Sequence, residues 1–224
     1  MTLDVAVLVV AKAPVPGFAK TRLARDVGNA RAAGLAAASL LDTLDAVAGA
    51  GVAHRVVAMT GDLGHAVRGS DIAATLGGFT VVPQRGENFA ERLVNAHADT
   101  FGRFRLPILQ IGMDTPQVTA ELLAESADRL TERRGRCALG LAEDGGWWIL
   151  GVPDAVSARA ILPVPTSSPD TGRLTRAALL AAGAEVLSLP TLRDVDYASD
   201  VAPVAALCPE SSHFRREYLS TSGG

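Results

Sequence analysis

Apolar and polar positions along this chain switch repeatedly between two spacings. Val5–Val10 is a continuous β-branched run of the kind buried on both faces of a sheet. Leu40, Leu41, Leu44, Val47 and Ala48 then recur at helical spacing, and Gly49 and Gly51 end that helix. The pattern predicts further strands at Arg55–Met59, Phe79–Pro83 and Pro107–Ile111. Between them it predicts a weaker helix around Asp62–Ala74 and another marked by Phe89, Leu93 and Ala96. Thr119 is a suitable N-cap for a helix through Leu122, Leu123 and Leu130. Cys137–Ala142 and Trp147–Val152 read as strands joined through Asp144-Gly145-Gly146, a hairpin or tight crossover. A helix at Leu174–Ala182, a strand at Glu185–Leu189 and a helix near Ser199–Leu207 complete the pattern. Alternation of this kind predicts one α/β domain, residues 1–219, on a parallel-rich sheet, with a flexible tail at 220–224.

Composition narrows the class. Hydrophobic residues make up 48% and charged residues 20%, enough for a real core, and no linker divides the chain. The net charge of −3 disfavours a nucleic-acid surface. Cys137 and Cys208 lie far apart and lack metal-ligand spacing, and Cys137, in an apolar strand-like run, reads as a reduced core thiol. No secretory signal and no run of membrane-spanning length is evident, so a soluble, cytoplasmic protein without membrane contact is expected.

The first strand ends in a Pro/Gly loop carrying three cations, Lys12, Lys20 and Arg22, shaped by Pro14, Pro16 and Gly17. Cations and free backbone amides at a strand-to-helix junction suit phosphate. The loop is neither a Walker loop nor a Rossmann fingerprint. Asp114 follows an apolar strand directly, where ligands of open α/β sheets bind, and is a candidate ligand for Mg2+ or Mn2+. Asp144, Gly145, Gly146, Trp147 and Trp148 form a third candidate group; strand alternation sends the two tryptophans to opposite faces, so at most one faces a cleft. Thr166–Thr171 offers hydroxyls and Asp170 before a helix, and Asp196 either reaches the same metal or caps the last helix. The four histidines form no metal or triad pattern.

Four blocks in this order resemble one known group: Ala11-Lys12-Ala13-Pro14 with Lys20-Thr21-Arg22-Leu23, Gln84-Arg85-Gly86 before Glu91-Arg92, Gly112-Met113-Asp114-Thr115-Pro116, and Asp144-Gly145-Gly146-Trp147-Trp148. The group is a bacterial transferase family found beside radical-SAM and selenium-related genes and usually labelled glycosyltransferase. It lies within the nucleotide-diphospho-sugar transferase superfamily and is similar to molybdenum-cofactor nucleotidyltransferases and phospholactate guanylyltransferase. The resemblance implies a three-layer α/β/α GT-A (Rossmann-like) domain with a mixed, mainly parallel sheet. It implies phosphate contact by Lys20 and Arg22, a divalent cation at Asp114, and base or ribose contact by Gln84, Arg85 and Gly86. Acceptor contact falls to Asp144, Gly145, Gly146 and Trp148. Met113 is bulkier than the small residue usual there, and the paired aromatics are more often tyrosines.

Two reactions suit such a site. Asp114-Thr115-Pro116 lacks the second acid of the Asp-x-Asp pattern common in glycosyltransferases, and three cations suit a triphosphate. Nucleotidyl transfer from a nucleoside triphosphate to a small phosphorylated acceptor is therefore expected. Glycosyl transfer from a nucleotide-sugar is the alternative, and a non-catalytic nucleotide-binding module the second. Base, acceptor and oligomeric state are not legible.

Overall fold

The computed structural model describes residues 2–221. Seven strands form one sheet: β1 (Leu3–Lys12), β2 (Val52–Thr60), β3 (Thr80–Pro83), β4 (Ile108–Ile111), β5 (Cys137–Ala142), β6 (Trp147–Val152) and β7 (Val186–Leu192). Their order is β3-β2-β1-β4-β6-β5-β7. Only β6 runs antiparallel to its neighbours, β4 and β5, so the sheet is mixed and mainly parallel. The apolar runs form strands because both faces of the sheet are covered. Val5, Val7 and Val9 pack on one side; Ala6, Leu8 and Val10 pack on the other.

The helices are α1 (Thr21–Val27), α2 (Asn29–Gly49), α3 (Gly69–Leu76), α4 (Phe89–Phe104), α5 (Ala120–Thr131), α6 (Ala155–Ala158), α7 (Thr171–Ala181), α8 (Ala198–Leu207) and α9 (His213–Thr221). Thr119 caps α5 by accepting from the Leu122 amide at 3.2 Å. Asn88 caps α4 in the same way, and the Glu91 carboxylate reaches back to the Glu87 amide.

Three expectations need correction. The helix ending at Gly49 begins at Asn29, because its first half is alanine-rich and buried on nearly all sides, which leaves no amphipathic period to read. That helix is long and apolar enough to cross a membrane by length and composition, contrary to expectation, yet 78% of the apolar window is buried inside the protein. The helix at 199–207 is not the last: α9 follows it and takes in Ser220 and Thr221, while 222–224 of the expected tail lie outside the described residues. Phe214 of α9 is fully buried against Leu35, Val201 and Val204. The Asp42 carboxylate of α2 fixes the start of α9, accepting from the His213 and Phe214 amides, both at 2.8 Å, and from the Ser212 hydroxyl at 2.7 Å.

Candidate functional site

The carboxyl ends of β1, β2 and β4, the β5–β6 turn and the segment after β7 surround a cavity of about 450 Å3. This is where open α/β sheets place their ligands. Of the residues expected at the site, Lys12, Lys20, Arg22, Gln84, Asp114, Asp144, Gly146 and Asp196 line it.

Lys20 is the hub of this cavity. It precedes α1 in the left-handed conformation (φ 51°), which turns its side chain inward, where only 8% stays exposed. Its ammonium lies 2.7 Å from Asp114 Oδ1 and 3.2 Å from Asp196 Oδ1, and it donates to the Val195 carbonyl. An ammonium has three N–H bonds, and all three are engaged. Burial pulls the Lys20 pKa down, but the charges of Asp114 and Asp196 outweigh it and the net shift is upward. Arg22 completes the network, 2.9 Å from Asp196 Oδ2. Asp196 therefore serves the ion-pair network; the helix-capping carboxylate is Asp200, which accepts from the Tyr197 amide at 2.8 Å.

Lys12 and Arg92 behave differently. Lys12 Nζ sits 3.7 Å above the Phe18 ring, and its pKa is lowered by burial and by the charge of Arg92. Among the described residues neither cation has a carboxylate partner. The Gly86 carbonyl holds Arg92 Nε at 3.2 Å. Gly86 itself has φ 139°, and a Cβ there would lie 2.7 Å from Glu91 Cβ. Two cations that repel each other across a cleft favour an anion between them.

Opposite them, one carboxylate oxygen each of Asp144, Asp194 and Asp196 lies within 4.8 Å of the other two. Asp144 Oδ1 is steadied by the Gly146 amide at 2.7 Å. Burial, then the charges of Asp144 and Asp196, push the Asp194 pKa up to about 6. Asp196 already answers Lys20 and Arg22, but Asp144 and Asp194 have no cationic partner among the described residues, and a hard divalent cation would relieve the repulsion in this group. The donor set fits Mg2+ or Mn2+. Asp114 is not in this group.

The remaining expected residues lie outside the cavity lining. The Pro14 carbonyl accepts from the Val67 amide, Gly17 occupies a turn at φ 78°, and Arg85 forks onto Asp99. Gly145 lets the 166–171 segment dock: a Cβ there would meet the Pro169 carbonyl oxygen at 1.9 Å. Gln84 lines the cavity, but its amide donates to the Ala11 and Ala58 carbonyls at 2.8 and 2.9 Å, tying β1 to β2. Met113 also lines the cavity, but it packs into the core and its carbonyl accepts from Ser39 at 2.6 Å.

The tryptophan facing the cavity is Trp147, not Trp148. Leu141 pairs with Trp147 and Gly140 with Ile149, so Trp148 is the extra residue of a bulge. Its indole lies over Gly140 in the core and donates to the Pro190 carbonyl at 2.8 Å. The sequence reading gave no site role to Arg92, Asp194 or Gln110, although Arg92 stood in one of the four blocks. Asp194 alternates with Asp196, and Gln110 is the one polar residue in β4, so each had a local signal.

Comparisons with known proteins place this geometry. The "putative nucleotide-diphospho-sugar transferase" from Desulfovibrio desulfuricans G20 superposes with a TM-score of 0.83 at 26% identity, over 99% of this chain and 96% of that one. CMP:2-keto-3-deoxy-manno-octonic acid synthetase complexed with CTP matches at TM-score 0.53 and 14% identity, over 91% and 98%. Rv0371C from Mycobacterium tuberculosis H37Rv, in complex with manganese, matches at 0.54 and 20%, over 90% and 97%. No curated protein matches the sequence. The fold is thus the Rossmann-like α/β fold of nucleotide-diphospho-sugar transferases, as the sequence resemblance implied. Residues 43–168, more than half of the chain, match the family described as "Uncharacterized protein conserved in bacteria" (DUF2064), and the chain belongs to that family.

Proposed function

We infer that this protein is a divalent-metal-dependent, nucleotide-using transferase that moves a nucleotidyl group from a nucleoside triphosphate to a small phosphorylated acceptor. One observation carries the reading: Lys12 and Arg92, a cation pair without carboxylate partners among the described residues, share one cavity with the Asp144, Asp194 and Asp196 carboxylates. A phosphate chain bridges such poles. Likeness to a CTP-bound synthetase and a manganese-bound protein supports it at the level of fold.

In this reaction an acceptor phosphate oxygen attacks the α-phosphorus, the bond from that phosphorus to the bridging oxygen breaks, and pyrophosphate leaves with the electron pair. Lys12 and Arg92 neutralise the charge growing on the leaving group, while Arg22 is held by Asp196. Asp144, Asp194 and Asp196 would hold the cation, which would draw charge from the phosphate oxygens. Lys20 keeps Asp196 and Asp114 at fixed separation, so its work is positioning.

A second reading is glycosyl transfer, favoured by the Asp194-Val195-Asp196 spacing and by the name of the Desulfovibrio structure. The deciding experiment incubates the protein and Mn2+ with each nucleoside triphosphate and a panel of sugar phosphates and phosphoglycerates, scoring pyrophosphate. A parallel arm offers nucleotide-sugars and scores free nucleoside diphosphate. Pyrophosphate release that needs an acceptor supports nucleotidyl transfer. Nucleoside diphosphate release alone replaces it with glycosyl transfer, and binding without turnover of either kind leaves a nucleotide-binding module.

A further inference from the structure

Only two lysines occur in this chain, Lys12 and Lys20, and both line the cavity. The fold treats them in opposite ways. Lys20 is closed in by Asp114, Asp196 and the Val195 carbonyl, which engage all three of its N–H bonds and answer its charge. Among the described residues no carboxylate and no hydrogen bond reaches the Lys12 ammonium. What it meets is a ring. Lys12 Nζ lies 3.7 Å from the centroid of Phe18, well inside the roughly 6 Å reach of a cation–π contact.

Phe18 is 40% exposed, so burial alone does not hold it. The chain around it does. Gly17 turns at φ 78°, the Phe18 amide donates to the Val15 carbonyl at 3.0 Å, and Ala19 beyond it is buried. Gly61, directly after β2 and at φ 89°, leaves the ring its room: a Cβ there would lie 2.8 Å from Phe18 Cε1. Lys12 of β1 pairs with Thr60 of β2, the residue before Gly61, so the parallel register sets this cradle beside the ammonium. Lys12, Ala19 and Thr60 line the cavity and Phe18 does not, so the ring meets the lysine rather than the ligand space.

A carboxylate in this place would fix the lysine by answering its charge, as happens at Lys20. A π face attracts an ammonium through its quadrupole and leaves the net positive charge in place. It takes up one side of the group, so N–H bonds remain for an anion. It also restrains a flexible four-carbon stem, whose ordering on binding would otherwise weaken the complex. We propose that Phe18 is a positioning residue for the phosphate chain, holding Lys12 at the cavity wall with its charge unanswered. This role rests on Lys12 being a phosphate ligand. Burial and the charge of Arg92 pull the Lys12 pKa down, and the attraction of the ring for the charged form works against that pull.

With two lysines in the chain, NMR of the ε-methylene groups has one signal to follow and one as internal control. In the metal-free full chain the Lys12 ε-protons should be shifted upfield by the ring and those of Lys20 should not. Phe18→Leu, apolar but without a π face, should abolish that shift, move the Lys12 titration to lower pH and leave Lys20 where it was. Calorimetry with inorganic pyrophosphate in excess Mg2+ should show affinity about two- to fivefold weaker in this variant. Phe18→Tyr should restore the wild-type behaviour. A Phe18 ring carrying three fluorines keeps the shape, weakens the face and should behave as the leucine variant does; it also serves if that variant does not fold. A ring with a structural role alone would lower the melting temperature in Phe18→Leu and leave the fluorinated protein like the wild type. Pyrophosphate binding as tight as the wild type, or tighter, in the leucine and fluorinated proteins overturns the proposal. Lys12→Met tells the two failures apart. If it binds pyrophosphate as the wild type does, Lys12 is no phosphate ligand and both roles fall; if it is weakened while the Phe18 variants are not, only the role of Phe18 falls.

Discussion

Replacing Asp194 with asparagine should make the metal-free protein more stable and the metal complex weaker, two effects of opposite sign from one carboxylate. Burial and the neighbouring Asp144 and Asp196 raise the Asp194 pKa from 3.8 to about 6. The folded state therefore holds the Asp194 proton more tightly than the unfolded chain does. Stability is highest with Asp194 protonated and falls as pH rises from about 4 to about 6, then stays level. Two pKa units correspond to about 3 kcal/mol at most; the side chain is partly exposed, so about 1–2 kcal/mol is the reasonable expectation at pH 7.5. Asp194→Asn removes that penalty, and in EDTA its melting temperature should rise by about 2–6 °C. Metal binding needs the carboxylate. In the wild type, apparent Mn2+ affinity should be about twofold weaker at pH 6 than at pH 8, and about tenfold weaker at pH 5. The asparagine variant should bind Mn2+ at least about tenfold more weakly at all three. Scanning fluorimetry in EDTA and calorimetric Mn2+ titrations measure the two effects. A variant that melts lower than the wild type in EDTA and binds Mn2+ equally well would show that the three aspartates are no cation site.

Three further outcomes follow from the packing. Gly140→Ala should cost about 1–3 kcal/mol in urea unfolding, because its Cβ would lie 2.6 Å from both Ile149 Cγ2 and Trp148 Nε1. Unchanged stability would mean Trp148 is not locked over Gly140. Lys20→Met should lower stability by about 2–3 kcal/mol even without nucleotide, since it leaves Asp114 and Asp196 without their shared cation; a lysine that served only phosphate would leave the unliganded melting temperature unmoved. Asp42→Ala strands the His213 and Phe214 amides and should cost about 1–2 kcal/mol, seen as a lower urea midpoint, with Asp42→Asn recovering part of it.

What was legible in the sequence, and what was not, follows from where each interaction reaches. Cys137–Ala142 and Trp147–Val152 were readable as strands because burial on both faces forces continuous apolar runs. Helix α9, His213–Thr221, is polar along most of its length, and its docking depends on Phe214 and on a carboxylate about 170 residues earlier, so no local pattern announced it. Asp114 stood out because it follows an apolar strand immediately. The Asp144, Asp194 and Asp196 group did not, because it exists only where the β5–β6 turn and the end of β7 meet across a parallel pairing, and strand register cannot be read from either segment alone. The bulge that exchanges the roles of Trp147 and Trp148 is another register event. Lys20 shows the sharpest limit. Its position in a Pro/Gly loop invited a phosphate role, but a side chain's partners are set by the fold. Two carboxylates at positions 114 and 196 take up the charge the loop appeared to offer, while Arg92, outside the loop, keeps its own. The cations open to a phosphate chain in this family member are thus those the fold leaves without carboxylates.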